Sequence, residues 1–259
     1  MDSFEPLSNI AFSLEPAQIK LVATDMDGTL TRQGHFTPDL LQGLEQLQQA
    51  SIAVVIVTGR SAGWVQGLAH YFPMAGAMAE NGGVYFAGAN AEAEVLLPLP
   101  DRATHRQQLS ELFDQLRQHF PHLTASIDNP FRMTDWTFDV AGLTQADLDA
   151  LAQLCRTAGW DFTYSTVQCH LFKPGQSKAA GLQQVLIRHF PDITPQQVIT
   201  VGDSPNDESL FDRARFPHGV GVANLKDYWP QLTHRPTYLA NAAEVDGFLE
   251  LVDVLLGKG

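Results

Sequence analysis

Hydrophobic and polar positions follow two regular patterns in the first part of the chain. Mostly apolar, β-branched runs at residues 19–24 and 52–57 are typical of strands that are covered on both faces. Thr37 and Pro38 form a helix start between these runs. The leucines that follow are spaced for one face of that helix: Leu40, Leu41, Leu44 and Leu47. Strand, helix and strand at this spacing predict a βαβ unit in a parallel sheet.

The pattern changes near Asn81 and returns to the first type near residue 176. Before the change we predict a helix at 61–71 and a strand at 75–80. The middle of the chain predicts strands paired without alternating helices, together with two amphipathic helices, which is an α+β pattern. Its elements are a hairpin arm at 84–86, a helix at 103–120, a strand at 131–140, a helix capped by Thr144, and strands at 161–166 and 168–172. The last part predicts a helix at 176–190, a strand at 198–201, a short helix near 206–213, a strand at 218–222 and a helix at 242–256.

These elements predict an α/β, doubly wound parallel-sheet core with an inserted α+β domain. We place the core at residues 18–87 and 173–259 and the insertion at 88–172. Residues 1–17, with Pro6 and Pro16, are predicted to be an irregular extension. A single large sheet domain is the alternative that the pattern alone leaves open.

Composition and charge narrow the classes of function. The chain has 259 residues, 44% of them hydrophobic, and a formal net charge of −13. Such a charge disfavours binding to nucleic acid or to an anionic membrane surface, although a local pocket can still be positive. There is no apolar run long enough to span a bilayer, and the N-terminus lacks the basic start of a secretory signal. We therefore expect a cytoplasmic protein, for which a small anionic substrate remains possible. A monomer or homodimer is expected, although composition does not choose between them.

Two carboxylates follow the first buried strand. Asp25 and Asp27 lie beyond its carboxyl end, and Gly28 permits a sharp turn there. In an open parallel sheet this edge faces the ligand crevice. One carboxylate can act as a nucleophile or metal ligand while the other moves protons. A calcium loop or a plain turn also fits this short pattern.

Three further groups of polar residues follow a predicted strand or begin a predicted helix. Thr58 and Gly59 end the second strand, where a hydroxyl and free N–H groups suit a phosphate or a helix cap. Lys178 begins a predicted helix, as a site cation or as a solvated surface charge. The segment from Gly202 to Asp207 adds Asp203, Asn206 and Asp207 beyond the last buried strand. Their oxygen atoms are ligands that suit Mg²⁺. The alternative interpretation is an Asx turn that caps the following helix.

In this order, the residues resemble the four motifs of the haloacid dehalogenase (HAD) superfamily. Asp25-Met26-Asp27-Gly28-Thr29 resembles the first motif, Thr58 the second, Lys178 the third and residues 202–207 the fourth. An insertion between the second and third motifs is similar to a type-IIB cap. That branch includes Cof-like, sucrose-phosphate and mannosyl-3-phosphoglycerate phosphatases. The resemblance implies a Mg²⁺-dependent phosphatase that acts on a small phosphate monoester, such as a sugar phosphate or phosphorylated glycoside.

The resemblance also implies roles for the site residues. Asp25 is the expected nucleophile that forms an aspartyl phosphate, and Asp27 is the expected acid and base. The expected metal ligands are Asp25, Asp27, Asp203 and Asp207, with Asp27 using its backbone carbonyl. Phosphate binding is expected from Thr58, Gly59, Lys178 and Asn206. Alternatives are a phosphomannomutase-like phosphotransferase, and a non-catalytic binding module on the same scaffold. A receiver domain is disfavoured by the insertion and by the two-aspartate motif.

The insertion is expected to select the substrate. The strand at 131–140 alternates, and its apolar face carries Trp136, Phe138 and Val140. Its polar face is expected to look into the cleft or into solvent, and His170 is a further candidate there. We therefore predict four substrate-contacting residues: Asp135, Thr137, Asp139 and His170.

Overall fold

The structure is a computed structural model that describes residues 4–10, 19–88, 91–99 and 101–258. Its strands are β1 (Glu5–Pro6), β2 (Leu21–Thr24), β3 (Ala53–Val57), β4 (Gly76–Ala79), β5 (Val84–Phe86), β6 (Glu94–Val95), β7 (Asp135–Asp139), β8 (Asp161–Tyr164), β9 (Gln168–Phe172), β10 (Val198–Gly202), β11 (His218–Gly221) and β12 (Tyr238–Leu239). Its described α-helices are α1 (Pro38–Gln49), α2 (Ala62–Tyr71), α3 (Arg102–His119), α4 (Gln145–Thr157), α5 (Lys178–His189) and α6 (Glu244–Leu255).

The larger sheet has the strand order β1-β12-β11-β10-β2-β3-β4-β5-β6. Its neighbours are parallel from β1 to β4, and the last two pairs are antiparallel. The two strands that flank β2 are β10 and β3, so the carboxyl ends of these three strands meet at one edge. The doubly wound α/β core predicted from the sequence is therefore confirmed.

Helices cover both faces of this sheet. Leucines of α1 pack with α2 and α6 on one face, and Leu182 and Val185 of α5 pack on the other. Leu40, Leu44 and Leu47 are buried as predicted. Leu41 is 41% exposed, so its predicted place on the buried face is wrong. It follows Leu40 by one position, and a helix turns the side chains of adjacent residues about 100° apart.

The inserted domain is a three-stranded antiparallel sheet in the order β7-β9-β8. Helices α3 and α4 pack on its apolar face around Phe138, with Trp136 and Val140 beside it. That face was predicted correctly. The strand starts at Asp135 and not at 131, because residues 129–131 form a 3₁₀ turn that contains Pro130. This inserted domain is called the cap below.

Two predicted boundaries differ from the observed arrangement. Residues 94–95 fall within the predicted insertion, but they form β6, which pairs with β5 at the edge of the large sheet. Part of the N-terminal extension is regular, since β1 pairs with β12 and both Leu7 and Ile10 are buried. Residues 1–3 and 11–17 of that extension lie outside the described residues. Within the described ranges, no helix has both the length and the hydropathy needed to cross a membrane.

Candidate active site

Three strand ends bring the predicted polar residues together. Asp25 follows β2, and its N–H donates to the carbonyl of Val201 in β10 at 2.9 Å. Thr58 follows β3, and Asp203 follows β10. The cleft at this edge is lined by residues of the core and of the cap: Asp25, Asp27, Thr58, Gly59, Arg60, Ser165, Val167, Gln168, His170, Ser204 and Asn206.

Lys178 lies at the centre of the acidic groups. It is the first residue of α5, whose N-cap is Ser177, and its side chain is completely buried. The Nζ atom donates to Asp25 Oδ1 at 2.5 Å and to Asp207 Oδ1 at 2.6 Å. The alternative of a solvated surface lysine is therefore wrong.

Asp25, Asp203 and Asp207 form a compact oxygen cluster. Each offers a carboxylate oxygen, and these atoms lie within 4.8 Å of one another. Asp203 accepts from Asn224 Nδ2 at 3.0 Å and from Thr29 Oγ1 at 3.3 Å. The second carboxylate oxygen of Asp207 accepts from the N–H groups of Asp203 and Ser204, at 3.0 and 3.1 Å, just before the 3₁₀ segment Pro205–Phe211. The sequence predicted a short helix there, and it is of the 3₁₀ type.

Gly28 permits the close packing of this cluster. Its φ is +81°, which disfavours other residues, and a Cβ atom there would lie 2.3 Å from Asp203 Oδ2. The turn after β2 and the carboxylate after β10 can therefore approach only because residue 28 has no side chain.

The charges in the cluster are not balanced. Burial raises the pKa of Asp25 to about 7, although Lys178 opposes that rise. Burial and the neighbouring carboxylates also raise the pKa of Asp203. The pKa of Lys178 is raised by Asp207 and Asp25 against the effect of its burial. One ammonium faces three carboxylates, so the residues fit a hard divalent cation that keeps them ionised.

The loop after β3 forms the other side of the cleft. The Arg60 N–H donates to Thr58 Oγ1 at 3.1 Å. The Arg60 guanidinium binds both carboxylate oxygens of Asp27, at 2.8 and 2.6 Å. Asp27 is thus held at the cleft and does not take part with its side chain in the oxygen cluster. The sequence analysis missed Arg60, although it directly follows the predicted Thr58-Gly59 pair.

A buried dipeptide joins this loop to the cap. The N–H groups of Glu80 and Asn81 donate to the carbonyls of Arg60 and Thr58, both at 3.0 Å. The Glu80 carboxylate accepts from the backbone of Met133 and Thr134 on the cap side at 2.6–3.0 Å. Glu80 and Asn81 both have a positive φ, of 55° and 51° respectively.

Asn81 also contacts Asn206, in the 3₁₀ segment after β10. Its Oδ1 accepts from Asn206 Nδ2 at 3.0 Å. The sequence showed a change of pattern near Asn81, but no role was predicted for these side chains. The contact between Asn81 and Asn206 cannot be predicted from a local sequence pattern, because the two residues are distant in the chain.

The cap contributes His170 to the cleft but not the rest of its predicted set. Asp135 and Thr137 are buried within the cap, and Asp139 is exposed at the far end of β7. None of these three lines the cleft. The predicted polar face is instead covered by Arg132, which pairs with Asp135 at 2.9 Å. That arginine lies in the turn before β7, which was predicted to be strand.

The cap is closed over the core. Arg132 Nη1 donates to the carbonyl of Gly59 at 2.9 Å, across the interface between the two domains. The free volume of the cleft is about 10 Å³, which is room for roughly one water molecule. A substrate can therefore enter only if the cap moves away from the loop after β3.

Comparison with known proteins agrees with this architecture. A profile described as haloacid dehalogenase-like hydrolase matches residues 22–135 and 144–247. The chain is 25% identical over 243 residues to a phosphoglycolate phosphatase of Methanothrix thermoacetophila, covering 93% of this chain and 99% of that protein. It is 29% identical over 244 residues to a phosphoglycolate phosphatase of Metallosphaera sedula, covering 92% and 99%.

Solved structures share the whole fold. The C-terminal domain of C. albicans trehalose-6-phosphate phosphatase has a TM-score of 0.71 at 14% identity and covers 99% of both chains. The sucrose-phosphatase of Synechocystis, solved with sucrose and phosphate, has a TM-score of 0.64 at 18% identity. It covers 92% of this chain and 98% of its own. At these identities the likeness concerns the fold, including the cap.

Proposed function

The chain belongs to the haloacid dehalogenase-like hydrolase family, and from that premise we propose that it is a Mg²⁺-dependent phosphatase of small phosphate monoesters. The substrate class that we propose is a sugar phosphate or phosphorylated glycoside, hydrolysed through an aspartyl-phosphate intermediate. The observation that carries the proposal is the meeting of Asp25, Lys178, Asp203 and Asp207 at one sheet edge, beside Asp27 and the Thr58 loop.

Asp25 and Asp27 divide the chemistry between them. An oxygen of the Asp25 carboxylate attacks phosphorus as the bond from phosphorus to the leaving-group oxygen breaks, and Asp27 gives the leaving-group oxygen a proton. Asp27 then takes a proton from water, which attacks phosphorus and releases inorganic phosphate and free Asp25. Arg60 holds the Asp27 carboxylate at the cleft between these steps.

The remaining residues bind the phosphoryl group and the cation. Thr58, the Gly59 N–H, Lys178 and Asn206 are proposed to bind phosphoryl oxygens, which gather charge in the transition state. The carboxylates of Asp25, Asp203 and Asp207 and the backbone carbonyl of Asp27 are proposed to hold Mg²⁺. The cation supplies the positive charge that offsets the repulsion between these carboxylates and a phosphate dianion.

The relatives support the reaction class more than the substrate. Two curated relatives are named phosphoglycolate phosphatase, and such a phosphatase also hydrolyses a monoester. Their names support phosphatase activity, and the choice of leaving group depends on the cap. The phosphomannomutase-like alternative uses the same core, and a rate that rises with an added sugar bisphosphate would favour it. A non-catalytic module is disfavoured because both Asp25 and Asp27 are present.

Phosphate release from a generic aryl phosphate tests the proposal. Purified protein should release phosphate with Mg²⁺ and stop when EDTA is added, and excess Mg²⁺ should restore the rate. Activity that survives complete removal of metal would show that the acidic cluster has another role.

A further inference from the structure

His170 has one ring nitrogen that the cap uses and one that it leaves free. Its Nδ1 lies 2.9 Å from Asp135 Oδ2, and both side chains are buried. Its Nε2 has no hydrogen-bond partner among the described residues. The ring lines the cleft, and Nε2 lies 3.0 Å from the place where a Cβ of residue 59 would be. The absence of a side chain at Gly59 thus leaves room for this nitrogen beside the loop after β3.

The Asp135 contact fixes the tautomer of the ring. An ionised carboxylate only accepts hydrogen bonds, so the proton of a neutral ring lies on Nδ1 and the lone pair on Nε2. Arg132 donates to both carboxylate oxygens of Asp135, at 2.9 and 3.0 Å, and also pairs with Asp128. Burial, Arg132 and Lys178 lower the pKa of His170, and the Asp135 carboxylate opposes this. The cap therefore presents a hydrogen-bond acceptor to the cleft.

The cations around the cleft are already paired. Arg60 binds Asp27, and Lys178 binds Asp25 and Asp207. The Arg132 guanidinium donates hydrogen bonds to four groups: Asp128, Asp135, Gln168 and the carbonyl of Gly59. A carboxylate on the leaving group would have to share one of these cations with a carboxylate that already binds it. It would also face the lone pair of His170 Nε2, which repels a negative charge.

The rest of the cap side of the cleft is uncharged. It consists of Ser165, Val167 and Gln168 at the turn between β8 and β9 and the start of β9. Hydroxyl, amide and imidazole groups exchange hydrogen bonds with alcohols without a charge partner. This lining suits a polyhydroxyl leaving group better than an acid.

We propose that His170 selects the leaving group of this phosphatase, and that it selects an alcohol with a neighbouring hydroxyl over one with a carboxylate. The hydroxyl donates to Nε2, while Asp135 and Arg132 are positioning residues that keep this nitrogen an acceptor. The proposal rests on the proposed phosphatase function and narrows its substrate class. It implies that phosphoglycolate, the substrate in the relatives' names, is a poor substrate here.

Three two-carbon substrates provide the test. Ethyl phosphate has no second polar group, 2-hydroxyethyl phosphate has a hydroxyl donor, and phosphoglycolate has a carboxylate. For the parent protein, kcat/KM should be about tenfold higher for 2-hydroxyethyl phosphate than for ethyl phosphate, as one neutral hydrogen bond provides. Phosphoglycolate should be slower than both. A parent that prefers phosphoglycolate would overturn the proposal.

Variants assign the preference to the residue. His170→Phe keeps a flat ring without the acceptor, so the ratio of kcat/KM for 2-hydroxyethyl phosphate to that for ethyl phosphate should fall from about ten to about one. His122→Gln, at an exposed position on the cap, should keep the preference. Equal losses on all three substrates would make His170 a structural residue and contradict the proposal.

Two further measurements separate the possible failures. If His170→Phe does not fold, as judged by its thermal transition, the nitrogen chemical shifts of His170 in the labelled parent decide. They should report a protonated Nδ1 and an unprotonated Nε2 at pH 7, and the reverse would overturn the proposal. If no substrate is hydrolysed, including an aryl phosphate, the phosphatase function itself fails. Mg²⁺-dependent aryl phosphatase activity without a hydroxyl preference would reject only this inference.

Discussion

Lys178 bridges Asp25 and Asp207, and all three side chains are buried from solvent. The ammonium lies 2.5 and 2.6 Å from an oxygen of each carboxylate. A buried charge without a partner is strongly destabilising, so this bridge links the stability of the core to the geometry of the site.

Lys178→Met should therefore weaken the metal-free protein. Methionine fills much of the same volume but leaves two buried carboxylates without a cation. We expect the free energy of unfolding in EDTA to fall by about 3–5 kcal/mol, as measured by urea denaturation. Lys226→Met, at an exposed position, should stay within about 0.5 kcal/mol of the parent. A Lys178→Met protein as stable as the control would mean that the carboxylates are protonated or solvated.

The raised pKa of Asp25, about 7 against 3.8, predicts how stability depends on pH without metal. A carboxyl group with a raised pKa binds protons more tightly in the folded state. Its contribution to stability is complete below about pH 4 and is lost as pH rises toward 7. The loss is at most about 4 kcal/mol.

Denaturation of the parent in EDTA at pH 5 and pH 8 measures this slope. Asp25→Asn cannot ionise at this position, so its stability should depend less on pH over the same interval. A parent whose stability rises between these values, with no difference from Asp25→Asn, would contradict the pKa assignment.

Mg²⁺ should stabilise the folded protein through the same cluster. A ligand that binds only the folded state raises the thermal midpoint, because it adds RT ln(1 + [L]/Kd) to the free energy of unfolding. At pH 7.5 we expect millimolar Mg²⁺ to raise the midpoint of the parent by several degrees. Asp203→Asn removes one carboxylate charge and should abolish most of the shift, whereas Asp253→Asn, at an exposed position on α6, should keep it. An equal shift in all three proteins would place the cation elsewhere.

Glu80 is predicted to hold the cap on the core. Its carboxylate accepts N–H groups from Ala62 on the core side and from Met133 and Thr134 on the cap side. In Glu80→Gln an amide NH₂ would face these donors, and we expect the free energy of unfolding to fall by about 1–3 kcal/mol. Hydrogen exchange should show faster exchange at residues 133–134 than in the parent. Unchanged exchange there would mean that other contacts hold the cap.

The sequence predicted the strand ends well because long apolar strands are easy to recognise. Once β2, β3 and β10 are assigned, parallel topology requires Asp25, Thr58 and Asp203 to meet. The alternation of β7 gave its two faces correctly, but it carries no information on what covers the polar face. Arg132, in the turn before β7, covers it.

Short elements and distant contacts were not predictable. Strands β1 and β6 have two residues each, too few for a periodic pattern. The bond between Asn81 and Asn206 joins residues 125 positions apart. Such contacts follow from the packing of the cap on the core, which local patterns do not contain.

The central claim is that Asp25 is a nucleophile that becomes phosphorylated. The most direct measurement is an acid quench of the enzyme during turnover of a radiolabelled phosphate monoester, followed by mapping of the labelled peptide. The account predicts label on the peptide that contains Asp25 when Mg²⁺ is present, and neither label nor turnover in Asp25→Asn or in EDTA. Near-normal phosphate release by Asp25→Asn, or steady turnover with label on another residue, would contradict it.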